Sequence, residues 1–187
     1  MIGTPLEATP GWLWFLAEGA RPCDDALERL VAAIEPEGLP PATVVAGLLV
    51  DEHGEPLADR LQPAPRIDAA LAVRLVGRRL LPIRCAGLAH CLVARSAFDR
   101  HGRPDVRRFG PFAAEEWTAR VLRTECGYLV PGSRVVLPGA HGGGRGVPLR
   151  ATLRMLPTRT WSRGDAARAV GRAVVGPARR REAVAGR

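Results

Sequence analysis

Acidic side chains stand at two places where a predicted element begins or ends. Glu18 follows the apolar run of residues 11–16, and Glu115 with Glu116 opens a predicted helix. A carboxylate can hold a divalent cation or take the proton of a hydroxyl group, so these residues are candidates for metal binding and general base catalysis. Neighbours on a helix point about 100° apart, so Glu115 and Glu116 cannot act as a close pair. The alternatives are a solvated acid for Glu18 and a first-turn acid that complements the helix dipole for either glutamate.

Aromatic, imidazole and thiol groups add further candidates. Trp117 could stack on a sugar ring, although its helical spacing favours a core position. His90 lies inside an apolar stretch, where a hydrogen-bonded buried histidine is favoured over a ligand, and His141 precedes a glycine run and is expected to be exposed. The four cysteines form no C-x-x-C pair, so we predict no zinc site, and we interpret Cys85 and Cys91, beside His90, as small core residues of a reduced cytosolic protein.

The elements that would position these groups alternate between strand and helix. Residues 11–16 and 42–50 are apolar runs typical of buried strands, and the helix between them has its apolar residues at helical spacing. Asp24 or Asp25 can cap the first turn of that helix, and Asp25 with Glu28 has the spacing of a capping box. Within residues 56–82, the segment "IDAALAVRLVG" fits a helix or a strand that leads into Pro82. The order strand, helix, strand predicts an α/β fold with a mostly parallel sheet flanked by helices.

The second half of the chain continues this pattern. An apolar strand over Ala89–Ala94 precedes a short helix, the helix that begins near residue 113 ends before Gly127, and residues 128–139 hold two short strand pieces. We therefore predict one domain over residues 1–140. A glycine-rich linker, a C-terminal helix and an arginine-rich tail follow over residues 141–187.

Charge is strongly basic, at +8 with a pI of about 10.9, and all 27 basic residues are arginines. The arginines are scattered rather than striped, so solvated side chains are favoured over a nucleic-acid surface, and nucleic acid is not an expected partner. The basic tail could contact anionic lipid, with a solvated tail as the alternative. No signal peptide or membrane span is predicted, which indicates a cytoplasmic protein or one peripheral to the inner face of the membrane.

Two stretches carry a family resemblance that covers roughly residues 8–137. "WLWFLAEGARPCDDALERLVAA" is similar to a pattern W-L-W-x-x-D-D-D, followed by A-x-P and a helix D-A-L-x-x-L. "GRPDVRRFGPFAAEEWTARVLRTECGYLVPGS" is similar to G-x-P, then D-D-x-E-[FW]-T-x-R, then G-Y-x-V-P-x-S. Both patterns resemble family 2 glycosyltransferases of the galactofuranosyl- or rhamnosyl-transferase type, here of an actinobacterial kind.

The resemblance implies a GT-A fold that transfers a sugar from a nucleotide-sugar donor to a cell-envelope glycan. In such enzymes Mg or Mn, held by the strand-end acids, neutralises the departing phosphate, and the D-D of the second motif supplies the base. The resemblance implies Glu18 and His141 as candidate metal ligands, and Glu115 or Glu116 as the candidate base. Trp117, Arg120 and His90 are the candidate substrate-binding residues. The end of the first strand and the front of the Trp117 helix are expected to converge on one cleft.

The sequence departs from the family at the acidic positions. The triplet D-D-D falls on Ala17, Glu18 and Gly19, and the leading acids of D-D-x-E fall on Ala113 and Ala114. The chain is also expected to be truncated before the first strand, so that much of the donor pocket is missing. We therefore expect a glycosyltransferase-like protein that is weakly active or inactive. The alternatives are a non-catalytic scaffold that binds a glycan or a partner and, less favoured, arginine-mediated binding of nucleic acid or a membrane surface.

Overall fold

The computed structural model describes residues 4–57, 62–63 and 69–139, which form a single mixed sheet with helices on both faces. The strands are β1 (Thr4–Thr9), β2 (Trp12–Leu16), β3 (Arg21–Pro22), β4 (Ala42–Val50), β5 (Gln62–Pro63), β6 (Leu81–Cys85), β7 (His90–Ala94) and β8 (Cys126–Val136). The helices are α1 (Ala26–Val31), α2 (Ala69–Gly77), α3 (Arg95–His101), α4 (Val106–Phe109) and α5 (Ala113–Val121), with one 3₁₀ turn at Gly110–Phe112. The predicted α/β class is confirmed.

The strand order is β1-β2-β7-β4-β8-β6-β5, with β3 paired to the end of β8. Only β4 and β8 pair in parallel among the described strands, and the other ladders are antiparallel. The sheet is therefore mixed, and the expectation of a mostly parallel sheet is not met. The reason is that β1 forms a hairpin with β2, and β7 enters between β2 and β4 in the opposite direction. As a result β2, β4 and β8 point the same way, and their carboxyl ends lie at one edge of the sheet.

Successive side chains of the central strands pack into two separate hydrophobic cores, one on each face of the sheet. Val44 and Cys91 pack on one face with residues of α3 and α5, whereas Val45 and Leu92 pack on the other with residues of α1 and α2. This follows from the strand period of two, which sends successive side chains to opposite faces. It also explains why β4 is a continuous apolar run, because a strand covered on both faces has no solvent side.

The helix between the first two predicted strands is present but short. It covers Ala26–Val31, and the chain turns back at Gly38 before β4. The ambiguous stretch before residue 82 contains the helix α2. Within the part of the chain that the structure describes, no helix has both the length and the apolarity needed to cross a membrane. The predicted linker, C-terminal helix and basic tail over residues 141–187 lie outside the described residues.

Strand β8 contains a bulge that shapes the carboxyl edge. Gly47 of β4 pairs with Val130, but the next residue, Leu48, pairs with Arg134. Residues 131–133, the P-G-S of the second motif, are therefore extra on β8 and loop out of the ladder. Such bulges bend a strand and redirect its side chains.

Candidate functional site

The first candidate, Glu18, lies just past the end of β2 at the carboxyl edge of the sheet. Its side chain is exposed, whereas the preceding Ala17 is only 4 % exposed and donates its amide hydrogen to Ala89 O at 2.7 Å. Gly19 follows with a φ of +72° and open space around it. Of the three positions matched to the family's acid triplet, the middle one therefore presents a carboxylate to solvent, and the first is a packing position.

The first turn of α5 is buried against the face of the sheet that Phe15 occupies. Ala113 and Ala114 are both 0 % exposed, and Ala114 belongs to the same core cluster as Phe15 and Cys91. Phe15 and Cys91 are direct partners across β2 and β7. The two stretches that carry the resemblance therefore meet in one core cluster, and the positions matched to the family's base motif are filled by packed methyl groups.

Glu115 lies in this first turn and is 3 % exposed. Its charge acts on the Cys91 thiol. Burial, and to a lesser degree this charge, raises the pKa of Cys91 to about 12, because both disfavour the thiolate. Cys91 is thus a neutral core thiol that donates to Gly87 O at 3.0 Å, as expected for a cysteine interpreted as a core residue. The Glu115 charge thus acts on the Cys91 thiol, whose cross-strand partner Phe15 precedes Glu18 by three residues.

Glu116 is also buried, at 6 %, and is held by Arg120 one turn later. The Arg120 Nε and Nη2 atoms each lie 3.3 Å from a Glu116 carboxylate oxygen. Arg120 Nη1 also donates to His101 O at the end of α3. Arg120, a candidate for substrate binding, therefore braces α5 against α3, and it offsets the charge of one of the two candidate bases.

Trp117 occupies the core position that its helical spacing favours. The indole is fully buried and stacks on Phe98, with ring centroids 4.6 Å apart and an interplanar angle of 15°. Its Nε1 donates to Gly102 O at 2.5 Å. Because the ring is fully buried and its polar atom is bonded, Trp117 stabilises the packing of α5 on α3 and offers no exposed ring to a sugar.

His90 is the centre of a buried hydrogen-bond chain. Ser133 Oγ donates to Ala26 O at 2.7 Å, so it accepts a hydrogen from His90 Nε2 at 2.9 Å. His90 Nδ1 in turn accepts from Trp14 Nε1 at 3.2 Å. Burial lowers the pKa of His90 to about 4, which keeps the ring neutral, as this pattern of donors requires. Gly47 leaves space for the imidazole, since a Cβ there would lie 2.1 Å from Nε2.

This chain gives His90 a structural role. It ties β2, β7 and the β8 bulge to the start of α1. A serine next to a histidine also occurs in nucleophilic sites, but Ser133 is fully buried and its hydroxyl hydrogen is used by Ala26 O. His90 thus matches the favoured interpretation of a satisfied buried histidine rather than the candidate ligand.

A second polar cluster, centred on Glu125, was not anticipated from the sequence. Arg100 donates to both carboxylate oxygens at 2.9 Å, His101 Nε2 lies 2.7 Å from one of them, and Thr43 Oγ1 donates to the other. The Arg100 guanidinium is the main cause that lowers the pKa of Glu125 to about 2. Glu125 lies just beyond the C-terminus of α5, where an acid interacts unfavourably with the helix dipole. This position is the one feature of the sequence that could have indicated a nearby cation. The cluster lies where β4 and β8 begin, opposite the carboxyl edge.

The described residues contain no group of three or more His, Cys, Asp or Glu side chains arranged to hold a metal ion. Glu18 is the one expected metal ligand that they include, and His141 lies outside them. A scan against protein-family models and a search of curated proteins find no match to this chain.

Proposed function

We propose that the chain is a glycosyltransferase-like domain, related to enzymes that transfer a sugar from a nucleotide-sugar donor to a cell-envelope glycan, and that it has weak or no transfer activity. The observation that supports this most directly is the state of the three alanines matched to family acids. Ala17, Ala113 and Ala114 are 4 %, 0 % and 0 % exposed, and the segments that contain them meet in one core cluster. In this proposal the chain keeps a scaffold that brings the two motifs together, while the acid positions serve packing.

The partial GT-A-like arrangement belongs to this proposal. It would comprise β2, β7, β4 and β8, in which three strands point the same way and helices cover both faces. Ligands of open α/β sheets bind beyond the carboxyl ends of strands, which here is the edge with Glu18 and the β8 bulge. We place the donor nucleotide-sugar at that edge, with the acceptor glycan towards the first turn of α5.

The residual chemistry is assigned to few groups. Glu115 is the better candidate base because it directly follows Ala113 and Ala114, the positions matched to the family's D-D pair. Glu115 is buried, so proton transfer from an acceptor hydroxyl requires the first turn of α5 to open. Mg or Mn enters the proposal through the resemblance alone. Glu18 is a single described carboxylate at the expected position, which does not make a cation site by itself, so no step is assigned to a metal.

A non-catalytic scaffold that binds a glycan or an intact partner enzyme is the second candidate. The neutralisation of Glu116 by Arg120, together with the packed alanines, favours it, because these features remove catalysis while they keep the fold. A cytoplasmic position, peripheral to the membrane through the C-terminal arginines, remains part of the proposal, whereas binding to nucleic acid is the least favoured option.

The test is a pair of matched glycine substitutions. Gly19 and Gly38 both have positive φ, +72° and +73°, and a Cβ added at either would meet no atom within 4 Å. Gly19→Asp adds a second carboxylate beside Glu18 at the carboxyl edge, whereas Gly38→Asp adds the same charge beside Glu37 in the turn before β4, at the opposite edge of the sheet. The strain of an aspartate in this left-handed region is similar at both sites.

Thermal stability is then measured with UDP- and dTDP-sugars, with and without Mn²⁺. We expect nucleotide-sugars to stabilise the wild type, and Gly19→Asp, but not Gly38→Asp, to add a manganese-dependent increment to that stability. A tenfold gain in affinity corresponds to about 1.4 kcal/mol of added stability at saturating ligand. If neither the wild type nor Gly19→Asp responds to any nucleotide-sugar, the proposed function is wrong.

A further inference from the structure

Arginines, rather than acids, dominate the surface of the β3–β8 ribbon at the carboxyl edge. Arg21 of β3 is directly opposite Val136 of β8, and Arg134 precedes Val136 by two residues. Residues two apart on a strand share a face, and so do direct antiparallel partners. Arg21 and Arg134 are therefore diagonal neighbours on one face, about 7–8 Å apart at the backbone, which long side chains can bridge.

Arg29 of α1 reaches the same surface at the bulge. Its Nη1 lies where a Cβ on Gly132 would come within 2.6 Å, so the guanidinium covers the backbone of the bulge. Gly132 and Arg134 are both exposed while Ser133 between them is buried, which places the covered glycine on the face of Arg134. Three arginines from three elements thus lie around one short stretch of backbone.

The charges at this surface are unequally compensated. Asp25 accepts from Arg29 Nε at 2.7 Å and lies 2.6 Å from its Nη2, which orients that guanidinium with Nη1 over Gly132. Arg21 and Arg134 are exposed, and no described carboxylate lies within ion-pair distance of either. The exposed acid Glu18 lies three residues before Arg21 and flanks the patch without pairing with it.

We propose that Arg21, Arg29 and Arg134 form an anion site that binds the diphosphate of a nucleotide-sugar without a metal ion. The planar guanidinium donates two parallel hydrogen bonds to a phosphate, so Arg21 and Arg134 can each hold one phosphoryl group while Arg29 closes the end of the site at the bulge. Fixed positive charge would then do the neutralisation that family members assign to a cation. The identity of the ligand rests on the proposed function, but the anion site itself rests on the three arginines.

The experiment measures binding of UDP-glucose and of inorganic pyrophosphate by calorimetry in the presence of EDTA. The test variant is Arg21→Ala/Arg134→Ala. The control is Arg103→Ala/Arg107→Ala, which removes two exposed arginines and the same charge from α4 and the loop before it. We expect binding of both ligands without metal, at least about tenfold weaker in the test variant and unchanged in the control. The lysine pair Arg21→Lys/Arg134→Lys should recover part of the loss, because it keeps charge but not the paired donors.

The outcomes separate this proposal from the proposed function. Equal weakening in test and control variants would show a non-specific effect of net charge and overturn the arginine site. UDP-glucose binding that the test variant leaves intact overturns the site but keeps the proposed function. Pyrophosphate binding that needs Arg21 and Arg134, together with no response to any nucleotide-sugar, supports the site and overturns the proposed function.

Discussion

Substitution of Gly47 by alanine is the sharpest structural perturbation that this fold offers. The new Cβ would lie 2.1 Å from His90 Nε2, 2.3 Å from His90 Cδ2 and 2.8 Å from Ser133 O. These atoms belong to a buried ring and to backbone, so none can yield as the end of a flexible side chain would. His90 must therefore rotate away, and the hydrogen bonds that it exchanges with Trp14 and Ser133 are lost.

The cost follows from two effects. Overpacking a well-filled core costs about 1–3 kcal/mol. Leaving the Trp14 indole N–H buried without its acceptor costs about a further 1–3 kcal/mol. We expect a loss of about 4 kcal/mol, a large part of the 5–15 kcal/mol typical of folded domains. At about 2 kcal/mol per molar urea, the unfolding midpoint falls by about 2 M.

The assay is urea unfolding followed by tryptophan fluorescence, with Gly77→Ala as the control. Gly77 ends α2, and a Cβ there meets nothing within 4 Å, so that variant should be within about 1 kcal/mol of wild type. In a His90→Ala background, Gly47→Ala should cost less, because the two closest clashing atoms are gone. A midpoint for Gly47→Ala that equals the control would refute the buried histidine chain.

Three further predictions concern pH and two polar contacts. Because burial lowers the pKa of His90 to about 4, the unfolded chain takes up that proton first, and stability should fall by about 3 kcal/mol between pH 6.5 and 4. Unfolding of His90→Gln across this range should lack that slope. Because the pKa of Glu125 is lowered to about 2, its contribution to stability is present above about pH 4.5 and is lost as the pH falls towards 2. Glu125→Gln should remove this pH dependence and lower the free energy of unfolding by about 2 kcal/mol at pH 7, as measured by chemical unfolding. Thr118→Val should lower the free energy of unfolding by about 2–3 kcal/mol, because the Thr118 hydroxyl both donates to and accepts from the backbone of Ala86, just after β6. The control Thr124→Val, at an exposed position, should lower it by under about 0.5 kcal/mol in the same assay.

The elements themselves could be predicted from periodicity. The apolar runs at residues 11–16 and 42–50 are strands, and the helical spacing around Trp117 is a helix with that side chain in the core. The direction of β7 could not be predicted. Its residues are buried on both faces, and such a run looks the same in a parallel and an antiparallel ladder. Whether the sheet is mixed or parallel depends on which strands pair and in which direction, and the local hydrophobic pattern carries no information on either.

Local capping was predicted wrongly at α1. Asp25 and Glu28 have capping-box spacing, but the Asp25 side chain makes no capping bond and is bonded to Arg29 instead. Its φ of −101° and ψ of 9° lie outside the extended region that an N-cap residue uses, so the carboxylate does not face the free amides. Capping-box spacing alone takes no account of the competing i, i+4 cation.

In the candidate site, too, the residue types could be predicted from the sequence but their spatial partners could not. A satisfied buried histidine was the favoured interpretation of His90, but its partners are 76 and 43 residues away and depend on the register of β2, β7 and β8. The same holds for the arginine patch, because Arg21 and Arg134 become neighbours only through the pairing of β3 with the end of β8. Residue types identify candidate histidines and arginines, but the long-range pairing register of the strands determines which of them lie in contact.

The most direct test of a nucleotide-sugar site at the carboxyl edge is nuclear magnetic resonance mapping of a ¹⁵N-labelled chain titrated with UDP-glucose. We predict the largest amide shifts at Glu18–Cys23 and at residues 132–134, with smaller shifts in the first turn of α5. Shifts confined to α3 and α4, or none at millimolar ligand, would contradict a nucleotide-sugar site at that edge of the sheet.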